Sequence, residues 1–193
     1  MIITEPKWKS WVVETTNPLF TPEQCQMVID CGRRQKPQQA QVGMGKPGGG
    51  LDTNKRVTTI SWLPFDEMKE MYNQVNNFVQ KANLNHFGFG EVHVTEQAQF
   101  TEYPEGGFYD WHMDCDVNMS HEPPVRKISM TLLLSPENQF EGGDLELMTK
   151  GKGAKLKQGH AILFASFLNH RVAPVTRGVR QSLVMWFGGA PFR

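Results

Sequence analysis

The second half of the chain is a succession of short strand-like segments, and this pattern restricts the possible folds more than any other feature of the sequence. From about Glu91 onward, runs rich in β-forming residues are separated by turn signals such as EGG, SPEN, KGKG and RG. The runs are residues 91–103, 107–114, 127–134, 144–148, 161–165, 170–175 and 179–188. Many short strands with almost no helix between them are typical of a β-sandwich or a β-barrel.

The first half of the chain contains two predicted helices. Thr21 is the predicted N-cap of the first helix, because Gln24 completes a capping box with it, and Gly32 is the predicted end. Apolar residues at helical spacing predict a second helix over 64–84. Two short strands are also predicted, at 8–13 and 56–62. We therefore expect an α+β, mainly β, protein whose N-terminal helices pack on a sheet.

A glycine-rich segment interrupts the first half. Residues 43–50 read GMGKPGGG, which does not suit regular structure because ordering glycine carries a large entropic cost. No GK[ST] sequence follows and no strand precedes, so a phosphate-binding P-loop is excluded. We expect a surface loop here, and residues 43–54 are a candidate lid over a substrate site.

The composition disfavours several classes of partner. Lys+Arg and Asp+Glu number 20 each, so a net charge of zero gives no bulk electrostatic attraction to nucleic acid or to an anionic membrane. No apolar run approaches the roughly 20 residues of a membrane span, and the start, MIITEPKWKSWVV, lacks the apolar segment of a signal peptide. Three irregularly spaced cysteines suit a reducing compartment. We therefore expect a cytoplasmic protein; no sequence feature indicates its oligomeric state.

The stretch Tyr109–Asp116, YDWHMDCD, places an imidazole and three carboxylates within eight positions. If this segment is a strand, His112 and Asp114 point to the same side and can bind one metal ion together. An acidic turn that happens to include a histidine is the alternative, and Asp116 shares the face of Asp114. Because an HxD pair alone is a weak signal, the metal hypothesis requires a second histidine from elsewhere in the fold.

His170 is the candidate for that second histidine. It follows the strongly apolar run AILFASFLN and opens another β-rich run, which suits a position inside a barrel. Two imidazoles and one carboxylate can occupy one face of an octahedral metal, as in the facial triad of non-haem Fe(II) oxygenases. His112, Asp114 and His170 are therefore the predicted metal ligands and catalytic centre.

Arg180 is the candidate partner for an anionic cosubstrate. On the predicted strand 179–188, Arg180 and Ser182 share a face with Trp186. If this face is interior, a buried guanidinium needs an anionic partner, and a carboxylate held bidentately would satisfy it, with Ser182 adding a hydrogen bond. If the opposite face is interior, Arg180 is simply solvated. Arg177 is a rival, but it lies beside Gly178 in a predicted turn.

The ordered set of motifs resembles the Fe(II)- and 2-oxoglutarate-dependent dioxygenases of the prolyl 4-hydroxylase-like group. The resemblance covers roughly residues 91–188. The matching segments are Tyr103–Asp114, Arg126–Ser135 (RKISMTLLLS), Glu141–Leu145 (EGGDL), His170–Val175 (HRVAPV), Gly178–Arg180 and Trp186. The ordered set is far more specific than any one segment. It implies a double-stranded β-helix, or jelly roll, so we expect a single domain over 1–193, with a helical support region at 1–90 and a catalytic core at 91–188.

The resemblance also implies roles for individual residues. His112, Asp114 and His170 would bind Fe(II), and Arg180 would pair with the distal carboxylate of 2-oxoglutarate. Tyr103 would line the cosubstrate pocket, and Leu145, Val172 and Trp186 would wall the site, while Tyr109 and Trp111 flank the metal and are candidate substrate contacts. The family often has a tyrosine on the strand before the EGG turn. This chain reads Thr131-Leu132-Leu133 there, so that contact is missing or supplied by Thr131, Tyr103 or Ser182.

The activity implied by the resemblance is hydroxylation coupled to decarboxylation of 2-oxoglutarate. Its cosubstrates would be 2-oxoglutarate and O2, with ascorbate as a candidate reductant. Proline in a peptide or protein is the favoured substrate, and a free amino acid, another small molecule or a nucleobase is the alternative. A non-catalytic jelly-roll module that binds its metal structurally is the alternative from a different class of protein.

Overall fold

The computed structural model describes residues 10–40, 52–115, 124–148 and 154–192. The glycine-rich segment 43–50, and with it most of the candidate lid, lies outside the described residues, as does Asp116, the alternative to Asp114.

Helix α1 spans Pro22–Arg34. The predicted capping box is confirmed, because the Thr21 hydroxyl accepts from the Gln24 backbone N–H and the Gln24 side chain accepts from that of Thr21. The predicted end at Gly32 is wrong by two residues. Gly32 is required for packing instead, since a Cβ added there would lie 2.3 Å from the ring of Phe100 on the sheet below.

Helix α2 spans Lys69–Ala82 and continues into a π-helical turn at Asn83–Phe87. It begins later than predicted, because the residues after Pro64 form turns rather than helix. Tyr72 anchors the helix to the sheet: its hydroxyl donates to the carbonyl of Leu63 at 2.7 Å and accepts from the N–H of Ala98 at 2.7 Å. These two buried hydrogen bonds hold the helix against the backbone of two strands, one ending at Leu63 and the other beginning at Ala98.

The strands of the second half follow the predicted runs closely, whereas the strand predicted at 8–13 is formed by Val12–Glu14. They are β1 (Val12–Glu14), β2 (Gln38–Gln39), β3 (Arg56–Val57), β4 (Thr59–Leu63), β5 (His93–Val94), β6 (Ala98–Tyr103), β7 (Phe108–His112), β8 (Val125–Leu133), β9 (Phe140–Gly142), β10 (Leu145–Leu147), β11 (Ala161–Ala165), β12 (His170–Val172), β13 (Val175–Gly178) and β14 (Arg180–Gly189). The runs predicted at 56–62, 91–103 and 170–175 are each divided between two strands.

Two sheets face each other. Within the described residues, the larger sheet has eight strands in the order β1-β11-β8-β14-β6-β4-β2, with β5 added beside β14, and the smaller has the order β10-β12-β7-β3. A further antiparallel pair, β13-β9, continues the smaller side. This arrangement is the expected double-stranded β-helix. Residues before 90 contribute strands to both sheets as well as the predicted helices.

The larger sheet is buried on both faces because it lies between the helices and the smaller sheet. All nine residues of β8 are buried, and alternate residues serve the two layers. Ile128, Met130 and Leu132 join α1 and α2 in one apolar cluster. Ser129, Thr131 and Leu133 point the other way, toward the space between the sheets. Because the inner face lines the space between the sheets, its polar residues indicate a binding site rather than a part of the apolar core.

Candidate metal centre

The structure brings the three predicted ligands together at one end of the space between the sheets. His112 ends β7 and His170 begins β12, and the two residues are direct cross-strand partners. The Nε2 atom of His112 lies 3.6 Å from Oδ1 of Asp114, and Nε2 of His170 lies 3.5 Å from Oδ2. One ligand atom from each residue fits within a mutual distance of 4.8 Å, which suits a shared metal ion.

A β-bulge sets the direction of His112. His112 pairs with His170, but the next pair along the two strands is Tyr109 with Val172, so three residue steps on β7 oppose two on β12. The extra residue places Tyr109 and His112 on the same inner face, where their rings stack with centroids 3.5 Å apart. Strict alternation would have placed these two side chains on opposite faces.

Asp114 lies beyond the end of β7, so strand alternation does not position it as we expected. Its backbone N–H donates to the carbonyl of Ser166 at 3.0 Å. Its Oδ2 accepts from the hydroxyl of Ser129 at 2.6 Å, and the hydroxyls of Ser129 and Ser166 are 2.9 Å apart. Ser129 and Ser166 were not predicted as site residues. The available signal was that Ser129 shares the inner face of β8 with Thr131.

Both imidazoles are oriented in the same way. Nδ1 of His112 lies 2.8 Å from the carbonyl of Asp110, and Nδ1 of His170 lies 3.0 Å from that of Leu168, in each case two residues upstream. If each Nδ1 carries the proton and donates to its carbonyl, the lone pair of Nε2 faces the cluster. Burial and the neighbouring His170 lower the pKa of His112 to about 4, which keeps this imidazole neutral and able to bind metal.

The carboxylate of Asp114 provides the negative charge of the cluster. Burial alone would raise its pKa, but the two histidines, Arg126 and the Ser129 hydroxyl outweigh burial and hold the pKa of Asp114 below its usual value. Two imidazoles and one carboxylate form a donor set that suits a divalent iron ion in facial coordination. The donor set therefore fits the metal that the sequence predicts.

Arg180 lies on the inner face, as the interior alternative of the sequence argument requires. It is 3% exposed, and its Nη1 donates to the hydroxyl of Ser182 at 3.1 Å. Its guanidinium carbon lies 5.6 Å from the ring centroid of Tyr103. Within the described ranges no carboxylate lies within ion-pair distance of Arg180. The rival Arg177 is exposed and pairs with Glu141 at 2.9 Å.

The EGG turn requires glycine at position 143 for a steric reason, because the turn passes close to the side chain of Arg180. Gly143 has a φ of +68°, and a Cβ added there would lie 2.6 Å from Cδ of Arg180. The guanidinium therefore reaches the inner face by passing against a backbone that carries no side chain. Burial lowers the pKa of Arg180, while Tyr103 and Asp144 oppose this effect, and an arginine remains charged in either case.

The remaining predicted site residues are mostly on the inner face. Leu145 and Val172 pack with Tyr103 in the apolar cluster between the sheets. Trp186 is buried, and its indole Nε1 has no hydrogen-bond partner in the described part of the chain. Trp111 differs, because it is 40% exposed with its ring near the outward-pointing Arg171. Its position on the outer surface of the smaller sheet does not support the predicted substrate contact.

Two further arginines border the site and were not predicted. The guanidinium of Arg126 covers the ring of Trp186 at 3.8 Å and its Nε donates to Glu96 at 2.8 Å. The guanidinium of Arg56 covers the ring of Tyr109 at 4.3 Å. The cation–π contacts hold both aromatic rings in place beside the ligand cluster. Their strands were predicted, but the direction of each side chain depends on the bulges and pairings of the folded sheet.

Comparison with known proteins agrees with this arrangement. Residues 98–188 match the family model described as the 2OG-Fe(II) oxygenase superfamily. A PKHD-type hydroxylase of Colwellia psychrerythraea is 33% identical over 148 residues, which cover 74% of this chain and 65% of the relative. The PKHD-type hydroxylase YbiX of Escherichia coli is 32% identical over 149 residues, covering 75% and 64%. The chain thus spans just under two thirds of the length of these relatives.

Solved structures share the fold. A prolyl-4-hydroxylase of Pseudomonas putida superposes with a TM-score of 0.70 at 19% identity, covering 94% of both chains. A prolyl hydroxylase of Trichoplax adhaerens, solved with a hypoxia inducible factor oxygen degradation domain peptide fragment, gives 0.69 at 19% identity, covering 93% of this chain and 84% of the other.

The fold and the cluster of two histidines and one aspartate define a double-stranded β-helix protein of the metal-dependent oxygenase class. More particularly, residues 98–188 place the core of the chain in the 2OG-Fe(II) oxygenase superfamily, and its fold is shared with solved prolyl hydroxylases. Among the described residues, no helix is both long and apolar enough to cross a bilayer.

Proposed function

We propose that the protein is an Fe(II)- and 2-oxoglutarate-dependent hydroxylase that acts on proline in a peptide or protein. One observation carries the proposal: the ligand atoms of His112, Asp114 and His170 lie within 4.8 Å of one another beside the inner wall that holds buried Arg180. 2-oxoglutarate has a metal-binding end and a carboxylate end. A metal triad suits the first end, and a guanidinium that has no ionic partner among the described residues suits the second.

In this proposal the residues of the chain hold and orient the reactants. His112, Asp114 and His170 hold Fe(II), and Arg180 with Ser182 holds the distal carboxylate of 2-oxoglutarate, while the ring of Tyr103 limits the depth of the pocket. The bound iron would supply the redox chemistry that activates O2 as 2-oxoglutarate is oxidised to succinate and carbon dioxide. The buried apolar residues Leu145 and Val172 keep water away from the reaction. Ascorbate is a candidate reductant for iron that becomes oxidised.

Proline is favoured as the target because two solved proteins with the same fold are prolyl hydroxylases, one of them bound to a peptide. The relatives in sequence are named PKHD-type hydroxylases, which supports hydroxylation more generally. A free amino acid, another small molecule or a nucleobase is the second candidate substrate. A non-catalytic metal-binding module is less well supported, since a structural metal gives no reason to bury Arg180 on the inner face.

The test is iron-dependent succinate release from 2-oxoglutarate with a panel of proline peptides, free amino acids and oligonucleotides. Coupled release with a proline peptide, with a mass increase of one oxygen atom on that peptide, is expected. Arg180→Ala should raise the 2-oxoglutarate concentration needed for half-maximal turnover, whereas Arg177→Ala, which changes an exposed arginine of a neighbouring strand, should not. No succinate release with any substrate would refute the enzyme, and release only with amino acids or oligonucleotides would refute the proline assignment.

We also propose one domain over residues 1–193, with the catalytic core at 91–188, acting in the cytoplasm. Cys25, Cys31 and Cys115 are buried and form no disulfide among the described residues, which suits a reducing compartment. Cell fractionation of the tagged protein tests the location, and a disulfide found in the purified native protein would contradict it.

A further inference from the structure

Thr101 carries a buried hydroxyl that has no partner among the described residues. The residue is on β6 and is 1% exposed, and its Oγ1 makes no hydrogen bond with any group of that part of the chain. Burying a hydroxyl without a hydrogen bond is unfavourable, and most buried polar groups in proteins are paired. An unpaired hydroxyl on the inner face of a binding barrel therefore indicates a group that a ligand satisfies.

The position of Thr101 identifies the part of the ligand. Thr101 is the direct cross-strand partner of Ser182, and Arg180 is the cross-strand partner of Tyr103 on the same two strands. Directly opposed residues of antiparallel strands have Cβ atoms about 4.5–5.5 Å apart and point to the same face. The hydroxyl of Thr101 thus lies beside Ser182, which accepts from Nη1 of Arg180 at 3.1 Å. Thr101, Ser182 and Arg180 form one polar patch on the inner wall.

The cross-strand neighbours on the far sides of Ser182 and Thr101 are apolar. Ser182 is flanked on its second side by Leu133 of β8, and Thr101 on its second side by Ile60 of β4. Thr131, which the sequence suggested as a cosubstrate contact, is opposite Val184, two residues further along β14 from Ser182. Two strand residues separate these positions by about 6–7 Å, so Thr131 lies farther from Arg180 than Thr101 does.

We infer that the hydroxyl of Thr101 donates a hydrogen bond to the distal carboxylate of 2-oxoglutarate, beside the Arg180–Ser182 pair. This inference rests on the proposed function and adds a residue that the sequence did not suggest. The carboxylate accepts from the guanidinium on one side and from Thr101 on the other, which satisfies the buried hydroxyl only when the cosubstrate is bound. Thr101 is a cosubstrate-binding residue, and it takes no part in the proton or electron transfers.

The test compares two keto acids with protein loaded with Mn(II), so that no turnover occurs. One is 2-oxoglutarate and the other is 2-oxopentanoate, which has the same metal-binding end and no distal carboxylate. Thr101→Val keeps the shape of the side chain and removes the hydroxyl. A hydrogen bond to a charged group is worth about 1.5–3 kcal/mol, so the Kd of 2-oxoglutarate should rise about 10- to 150-fold. The Kd of 2-oxopentanoate should be unchanged.

Thermal unfolding without keto acid gives an independent measurement. Because Thr101→Val removes an unpaired buried hydroxyl, its Tm should equal or exceed that of the wild type. Thr15→Val is the matched control, because the hydroxyl of Thr15 is paired with the N–H of Ala161 at 3.0 Å, away from the patch. That control should lower the Tm and leave both Kd values unchanged. Thr101→Ser, which keeps a hydroxyl, should retain most of the affinity for 2-oxoglutarate.

Unchanged 2-oxoglutarate affinity in folded Thr101→Val would overturn the inference while leaving the proposed function intact. An equal loss of affinity for both keto acids would also overturn it, because the effect would then not come from the distal carboxylate. Wild-type protein that binds neither keto acid would refute the proposed function and the inference together.

Discussion

A pair of glycine substitutions tests how the EGG turn positions Arg180. Gly143 has a φ of +68°, and a Cβ there would lie 2.6 Å from Cδ of Arg180 and 3.0 Å from Cγ2 of Val175. Gly106 has a similar φ of +77°, but an added Cβ would meet no atom within 4 Å. Gly143→Ala and Gly106→Ala therefore share the cost of a left-handed backbone and differ in the collision with Arg180.

The expected magnitudes follow from these two contributions. A left-handed conformation costs a non-glycine residue about 1–2 kcal/mol, so both variants should lose about that much free energy of unfolding. Cδ lies in the middle of the arginine side chain, so relieving the collision at Gly143 moves the guanidinium as well. If one charge-assisted hydrogen bond to 2-oxoglutarate is lost, the cost of about 1.5–3 kcal/mol raises Kd by about 10- to 150-fold.

The assay is calorimetric titration of 2-oxoglutarate into Mn(II)-loaded protein, with the Tm measured on the same samples. Gly143→Ala should bind 2-oxoglutarate at least about 10-fold more weakly than Gly106→Ala. Both variants should lose a similar amount of Tm from backbone strain, because both glycines have a left-handed φ. Equal affinities in the two variants would refute the argument that the bare backbone of Gly143 sets the position of Arg180. A loss of affinity in Gly106→Ala of the same size would refute it as well.

Three further changes test other contacts of the site and the core. His170→Ala should abolish high-affinity Fe(II) binding, measured by metal titration, and wild-type affinity would contradict the ligand assignment. Ser129→Ala should weaken metal binding about 10- to 100-fold because it frees the Asp114 carboxylate, whereas Ser135→Ala, at a buried serine just beyond the end of β8, should lower stability only. Burial raises the pKa of Tyr72 from 10.0 to about 12, so its contribution to the free energy of unfolding is fully present below pH 10 and is lost as pH rises toward 12. Tyr72→Phe should therefore show a shallower alkaline decline in urea denaturation, and an unchanged slope would contradict the assignment.

The sequence predicted the fold where local patterns were sufficient. The capping box before α1 depends on Thr21 and Gln24 alone and was predicted correctly. Alternation predicted that Arg180, Ser182 and Trp186 share one face of β14, but left open whether that face is interior, which the folded sheet decides. Gly32 was misinterpreted because a glycine near a helix end resembles a stop signal, and only the packing of Phe100 distinguishes the two cases.

The candidate site was predictable in part for the same reason. His112 and His170 were identified from their order along the chain, but their register and the bulge at Tyr109 depend on pairing between strands distant in sequence. Ser129 and Thr101 could not be assigned from the sequence, because a serine or threonine on a strand has no signature until its neighbours across the sheet are known. Trp111 was expected to contact substrate from its proximity in sequence to His112, but neighbouring residues of a strand point to opposite faces, and Trp111 is on the outer one.

The direct pairing of His112 with His170 has a consequence for the apoprotein. A metal ion bound by both histidines would cross-link β7 and β12, so metal binding would also stabilise the pairing of these two strands of the smaller sheet. Amide hydrogens of these two strands should exchange more slowly in the loaded protein, while those of β8 and β14, already enclosed by helices and sheet, should scarcely change. Without iron, the smaller sheet would then open locally at β7 and β12 more often, before the whole protein unfolds.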